Sequence, residues 1–271
     1  MALLEVNGVQ VNVEDTGAPP GKPDAPVVVL GHGLLFSTTM WRHQVEALRA
    51  SYRCVAIDWR GQGRTPPTRS GYDMDALYAD AVGVIEALDV GPVHYAGLSM
   101  GGFVGQRLAA RRPDLVRSLT LIDTSAEAED PAQLGQYRLL ARLWTLVGWR
   151  PLRSRVAPIM FTPAFLATPD GKAVLRQWTA ELDSQTRRGI TGAVRGVLDR
   201  RPIAGEIGRI AAPTLVIVGA ADPTTPPARA EAIAAAIPGA RLEVLPDVGH
   251  VSTLQAPDAI NAMVVPFLAA N

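Results

Sequence analysis

The chain of 271 residues contains one cysteine, Cys54, so no internal disulfide can form. Cys54 sits in the apolar run Cys54-Val55-Ala56-Ile57, which fits a buried strand and a reducing compartment. An excess of charge is missing too. Lys+Arg and Asp+Glu each total 26, and a net charge of zero gives no global field to draw nucleic acid or an anionic membrane. The start, Met1-Ala2-Leu3-Leu4-Glu5-Val6, lacks a basic head and a long apolar stretch. No later window reaches the roughly 18 apolar residues of a membrane span. These absences leave a cytoplasmic globular protein as the expectation, with a small molecule as its partner. Internal repeats and low-complexity tracts are absent as well.

What the chain does have is an alternation of apolar strands and amphipathic helices. Leu4 and Val6, then Asn7-Gly8, then Val9, Val11 and Val13 read as a hairpin. Val27-Val28-Val29-Leu30 is a continuous apolar run, as in strands covered on both faces. After Gly31-His32-Gly33-Leu34-Leu35, Ser37 or Thr38 is expected to cap a helix running through Leu48. Strand Tyr52 to Ile57, helix Met74 to Leu88, strand Val93 to Ala96, helix Met100 to Arg112 and strand Ser118 to Ile122 follow. From about Ser125 to Gly205 the alternation stops, and helices broken by Pro and Gly carry Trp144, Trp149 and Trp178. It resumes with strand Pro213 to Gly219, helix Pro227 to Ile237, strand Arg241 to Leu245 and helix Ala256 to Leu268. The pattern predicts an α/β fold with a parallel sheet between helical layers. The expected organisation is a core over 1–125 and 206–271 and an inserted helical cap over 126–205.

One junction carries chemistry. Gly97-Leu98-Ser99-Met100-Gly101-Gly102 joins a strand to a helix, and a glycine on either side of the serine permits a sharp turn that exposes its hydroxyl. Ser99 is the candidate nucleophile. Amides at the start of the following helix point at any oxyanion formed there. Met100 and Leu34 are the expected amide donors.

A serine hydroxyl needs a base, and the base needs a carboxylate to fix its tautomer. Asp222 and His250 each follow a strand of the resumed half, so all three can meet at one sheet edge. Asp123, also at a strand end, is the rival acid. Among the other histidines, His32 between two glycines is read as ordering its loop, and His43, beside Arg42 and Gln44, as part of a solvated face. His94 opens its strand at the far end of the sheet.

Gly31-His32-Gly33, Asp58-Trp59-Arg60-Gly61-Gln62-Gly63, Gly97 to Gly102, Asp222 and Gly249-His250 together resemble the α/β-hydrolase superfamily over nearly the whole chain. The resemblance implies an eight-stranded, mostly parallel sheet with its second strand antiparallel and a helical cap after the sixth strand. It also implies catalysis without metal or organic cofactor. Ser99 becomes nucleophile, His250 base and then acid, Asp222 its orienter, and Leu34 and Met100 the oxyanion donors. A closer similarity is to the 3-oxoadipate enol-lactonase and carboxylesterase branch, seen in Gly97 to Arg112, Met160 to Phe165, Pro213 to Pro227 and Ala236 to Arg241. His32-Gly33 departs from the Asn-Ser-type sequence of enol-lactonases. Carbon-carbon hydrolases, cofactor-free perhydrolases and a receptor retaining the triad remain alternatives to an esterase or lactonase.

Substrate charge has two opposed signals. Between Glu127 and Arg209, 13 basic residues face 8 acidic ones, enough to draw an anionic substrate. Arginine outnumbers lysine throughout, however, and Arg187-Arg188 and Arg200-Arg201 read as solvated helix faces. Trp144, Trp149, Trp178, Phe161 and Phe165 can instead line an apolar acyl pocket. The expectation is therefore an uncharged small or medium ester or lactone, with a carboxylated lactone second.

Overall fold

The computed structural model describes residues 2–271. Strands β1 (Ala2–Val6) and β2 (Val9–Asp15) form the expected hairpin. Asn7 and Gly8 between them have φ of 51° and 73°, the positive values that suit the twist of a two-residue hairpin turn. Next come β3 (Val27–Gly31), α1 (Arg42–Leu48), β4 (Arg53–Ile57), α2 (Met74–Leu88), β5 (Val93–Leu98), α3 (Met100–Arg111) and β6 (Val116–Ile122). Five helices then intervene: α4 (Pro131–Val147), α5 (Arg153–Met160), α6 (Pro163–Ala167), α7 (Pro169–Ser184) and α8 (Arg187–Leu198). The chain closes with β7 (Thr214–Gly219), α9 (Pro227–Ala236), β8 (Arg241–Leu245), α10 (Ser252–Gln255) and α11 (Pro257–Ala269).

The eight strands make one sheet in the order β1-β2-β4-β3-β5-β6-β7-β8. β2 runs antiparallel to both neighbours and every later pairing is parallel. Side chains alternate across it, as the strand period demands. Val27 and Val29 join one apolar layer with α2, α3 and α9, whereas Val28 and Leu30 join another with α1 and α11. Cys54 lies in the second layer, where burial pushes its thiol up to about 12.

Two local expectations are corrected. The helix expected from Ser37 to Leu48 is split into a tight 3-10 turn, Thr38–Trp41, and α1. Nor is the face around His43 solvated. Asn261 of α11 donates to the His43 carbonyl at 3.2 Å, and Gln44 is buried with its amide 3.5 Å from the Thr253 carbonyl, because α10 and α11 cover α1.

The constraint that matters for function is the close crossing of α3 over the central strands. A Cβ on Gly101 would overlap the backbone carbonyl of Gly31, which has no means of yielding in mid-sheet. The Tyr95 hydroxyl donates to the Gly101 carbonyl at 3.0 Å and fixes the same crossing. Gly101→Ala is therefore expected to lower stability by about 1–3 kcal/mol through overpacking, read as a fall in the denaturant midpoint. An unchanged midpoint would mean that the helix can shift freely.

Candidate active site

Ser99 stands between β5 and α3 with φ 51° and ψ −109°. A side chain is rarely found with positive φ, and such a residue persists only when its neighbours hold it there. Here the Ser99 amide donates to the Ile122 carbonyl at 2.9 Å, while the Ser99 carbonyl accepts from the Thr124 hydroxyl at 2.8 Å and the Phe103 amide at 3.0 Å.

The structure brings Ser99, His250 and Asp222 together across 151 and 28 residues of chain. Ser99 Oγ lies 3.0 Å from His250 Nε2, and His250 Nδ1 lies 2.8 Å from Asp222 Oδ2. All three are buried. With Nδ1 donating to the carboxylate, Nε2 is free to accept from the serine hydroxyl. Asp222 is itself held by donors. The Thr224 and Thr225 amides give to Oδ1 at 2.7 and 3.0 Å, and the Thr225 hydroxyl gives to Oδ2 at 2.7 Å.

These contacts set the protonation states. Burial pushes the Asp222 carboxyl up, but His250 and the Thr225 donors outweigh it and hold it below the usual carboxylate range. For His250, burial pushes the imidazole down; the Asp222 charge and hydrogen bond, aided by Asp123, prevail and raise it above its ordinary value.

Asp123 is close but differently employed. Its Oδ1 accepts from the Gly219 amide at 2.9 Å and its Oδ2 from the Ser252 hydroxyl and amide at 2.5 and 3.2 Å. It thus ties the end of β7, which leads to Asp222, to the residues just after His250. Burial, with the Asp222 charge beside it, pushes the Asp123 carboxyl up to about 7. His32 has no free nitrogen for the serine. Its Nε2 accepts from the Trp59 amide at 3.1 Å, which leaves Nδ1 to donate to the Gly33 carbonyl at 2.7 Å. His94, buried at the other end of β5, lies 2.8 Å from Ser118 Oγ.

Met100 follows Ser99 in the chain, and Gly33, the residue before Leu34, packs close by, since a Cβ built on it would lie 3.6 Å from Ser99 Cβ. The Leu35 amide is committed to Gln62 Oε1 at 2.8 Å, and Gln62 Nε2 sits 3.8 Å from Met100 Sδ, so one side chain links the loop after β3 to the residue following Ser99. Met100 opens α3, and its amide has no acceptor within the helix. Sequence reading passed over Gln62, Thr225 and Gln255. Gln255 Oε1 accepts from the Gly249 amide at 3.2 Å, and its Nε2 donates to the Thr162 hydroxyl at 2.9 Å and the Asp247 carbonyl at 3.1 Å, which fixes the His250 loop. Only Thr225, three residues after an aspartate in a turn, had a local signal.

An apolar cavity of about 110 Å³ opens beside this chain, reached by Leu34 and Thr224 and walled by Leu140, Trp144, Val156 and Ile159. Trp149, Trp178, Phe161 and Phe165 do not line it, contrary to expectation. They pack on one another, and the Trp178 and Trp149 indoles are spent on the Leu35 carbonyl and the Asp183 carboxylate. Arg200 is corrected too. It is not solvated but buried, paired with Glu129 at 2.8 Å and stacked 4.5 Å over the Phe103 ring.

A family model described as the alpha/beta hydrolase fold matches residues 26–257. The chain belongs to the α/β-hydrolase family. Among relatives of this α/β-hydrolase, it is 29% identical over 243 residues to 3-oxoadipate enol-lactonase 2 of Acinetobacter baylyi, covering 89% of this chain and 88% of that one. It is 32% identical over 254 residues to a candidate non-heme bromoperoxidase, BpoC, of Mycobacterium tuberculosis, covering 92% and 95%. The solved enol-lactonase of Burkholderia xenovorans LB400 superposes with a TM-score of 0.89 at 29% identity, covering 98% of this hydrolase and 99% of that chain. Among the described residues of this α/β-hydrolase no helix is long and apolar enough to cross a membrane.

His250 in this hydrolase is expected to titrate above 6.5 by NMR. In Asp222→Asn that value should fall, and in Asp123→Asn it should fall by less, since Asp222 supplies the main charge and hydrogen bond that favour the imidazolium whereas the Asp123 carboxyl, pushed up to about 7, carries only part of a charge there. The reverse order would make Asp123 the main partner.

Proposed function

We infer that the protein is a serine hydrolase that cleaves the carboxylic ester bond of small, uncharged esters or lactones through an acyl-enzyme at Ser99. The observation that carries this reading is the continuous chain Ser99 Oγ, His250 Nε2, His250 Nδ1, Asp222 Oδ2, with contacts of 3.0 and 2.8 Å, beside an apolar cavity.

Ser99 Oγ attacks the carbonyl carbon while His250 Nε2 takes its proton. The Leu34 and Met100 amides hold the oxyanion, and Asp222 stabilises the imidazolium. His250 then returns the proton to the departing alkoxide, leaving an ester on Ser99. Water, deprotonated by His250, attacks that ester and releases the acid and the serine hydroxyl. The segment from α4 to α8 acts as the cap and supplies most of the acyl cavity wall. Neutral substrates are favoured because Glu129 reaches that cavity while its cation, Arg200, is already paired with it.

Ser99→Ala should lower kcat for a p-nitrophenyl acyl ester by about 10⁴-fold or more in a variant that still folds, since only the oxyanion donors and binding remain. Activity within tenfold of wild type would remove Ser99 from the mechanism. A second comparison concerns the acyl group: kcat/KM for a neutral ester should exceed that of its ω-carboxylated analogue by about tenfold or more, because the anion must enter an apolar cavity whose lining offers it no cation. A preference for the anion that collapses with added salt would instead favour a carboxylated lactone as substrate.

A further inference from the structure

A second cavity, of about 710 Å³, does not include Ser99, His250 or Asp222. It lies between the 68–73 loop, α8 and the end of α4. Gly192 and Gly196 let the loop rest on α8, because a Cβ at either would overlap Tyr72. The loop is braced in turn by the Tyr72 hydroxyl, which accepts from the Thr68 amide at 2.9 Å and donates to the Thr68 carbonyl at 3.2 Å.

Four arginines line this groove: Arg69 from the loop, and Arg187, Arg188 and Arg195 from α8. Among the described residues, Arg69, Arg188 and Arg195 make no hydrogen bond or ion pair, and Arg187 reaches only the Leu146 carbonyl at 3.4 Å. Among the described residues elsewhere on the surface, some arginines are paired and others, Arg117 and Arg209 among them, are not. Arg53 holds Asp15, Arg60 holds Asp80, Arg112 holds Asp114 and Arg150 holds Asp183. The two acids at the groove are already engaged, Asp73 in capping α2 through the Ala76 amide and Asp199 in an ion pair with Arg138. Four guanidinium side chains thus line one concavity, together with the Thr145 and Thr191 side chains. Like charges gathered in one cleft raise its potential and repel one another until an anion enters.

We propose that the groove between the 68–73 loop, α8 and α4 is a binding site for a small ligand carrying two or more phosphate groups. The guanidinium fork matches phosphate oxygens two at a time, and arginines on opposite walls suit a ligand with more than one phosphate. The chemistry is shared by free polyphosphate and by the diphosphate of a nucleotide. The site is independent of the ester-hydrolysis reading.

Titration calorimetry on the whole chain at low ionic strength, with inorganic pyrophosphate and with ADP, tests this. One site is expected, with an affinity that weakens as salt rises. Tighter binding of ADP would identify the nucleotide as the ligand source, and tighter binding of pyrophosphate the free polyphosphate. The Arg188→Ala/Arg195→Ala variant should bind at least about tenfold more weakly. Arg69→Ala, on the opposite wall, should weaken binding as well, and Arg117→Ala, an exposed arginine outside the groove, should not. The proposal is overturned if neither probe binds, if Arg117→Ala weakens binding as much as the groove variants, or if citrate binds as tightly as pyrophosphate.

Discussion

The backbone at Ser99 is the constraint on which the rest of the molecule depends. Positive φ at a residue with a side chain costs on the order of 1–3 kcal/mol, and that cost is met by hydrogen bonds from β6 and Thr124 on one side and α3 on the other. The turn also requires α3 to cross the sheet at glycine distance, so the tight packing of Gly31 and Gly101 and the presentation of the serine hydroxyl to His250 are one geometric fact. The hydroxyl then meets an imidazole delivered from 151 residues further along the chain.

Asp123 shows how that register reaches the side chains. Its two oxygens bind the end of β7 and the start of α10, so the loops bearing Asp222 and His250 move together with β6. The helical segment is fastened to the same region. Trp178 donates to the Leu35 carbonyl, Glu181 accepts from the Thr39 hydroxyl at 2.7 Å, and Gln255 bridges to Thr162. The walls of the apolar cavity are thereby anchored to both the loop of Leu34 and the loop of His250.

Much of this was legible in the residues alone because its causes are local. Alternating apolar runs and helical periods identify the sheet and its layers, and a glycine-flanked serine between strand and helix identifies the turn. Asp222 and His250 were readable because each follows a strand and so must emerge at one edge. The remainder has causes that are distant in sequence. Arg200 resembles a solvated residue until Glu129, 71 positions away, is brought beside it. Gln62 and Gln255 look like ordinary loop glutamines, and only the folded chain sets their amides between backbone groups of separate segments. Trp149 and Trp178 misled for the same reason: their size announces burial, but which apolar space they fill depends on where each indole N–H finds an acceptor.

Cys54 has a use beyond packing. A thiol reacts through its thiolate, and in the folded protein burial suppresses that form by pushing the group up to about 12. Reaction with a thiol reagent therefore has to wait until β4 separates from the layer that covers it. The one cysteine of the chain is a built-in clock for sheet opening, and its labelling rate in mild denaturant measures the free energy of that motion without a probe being introduced.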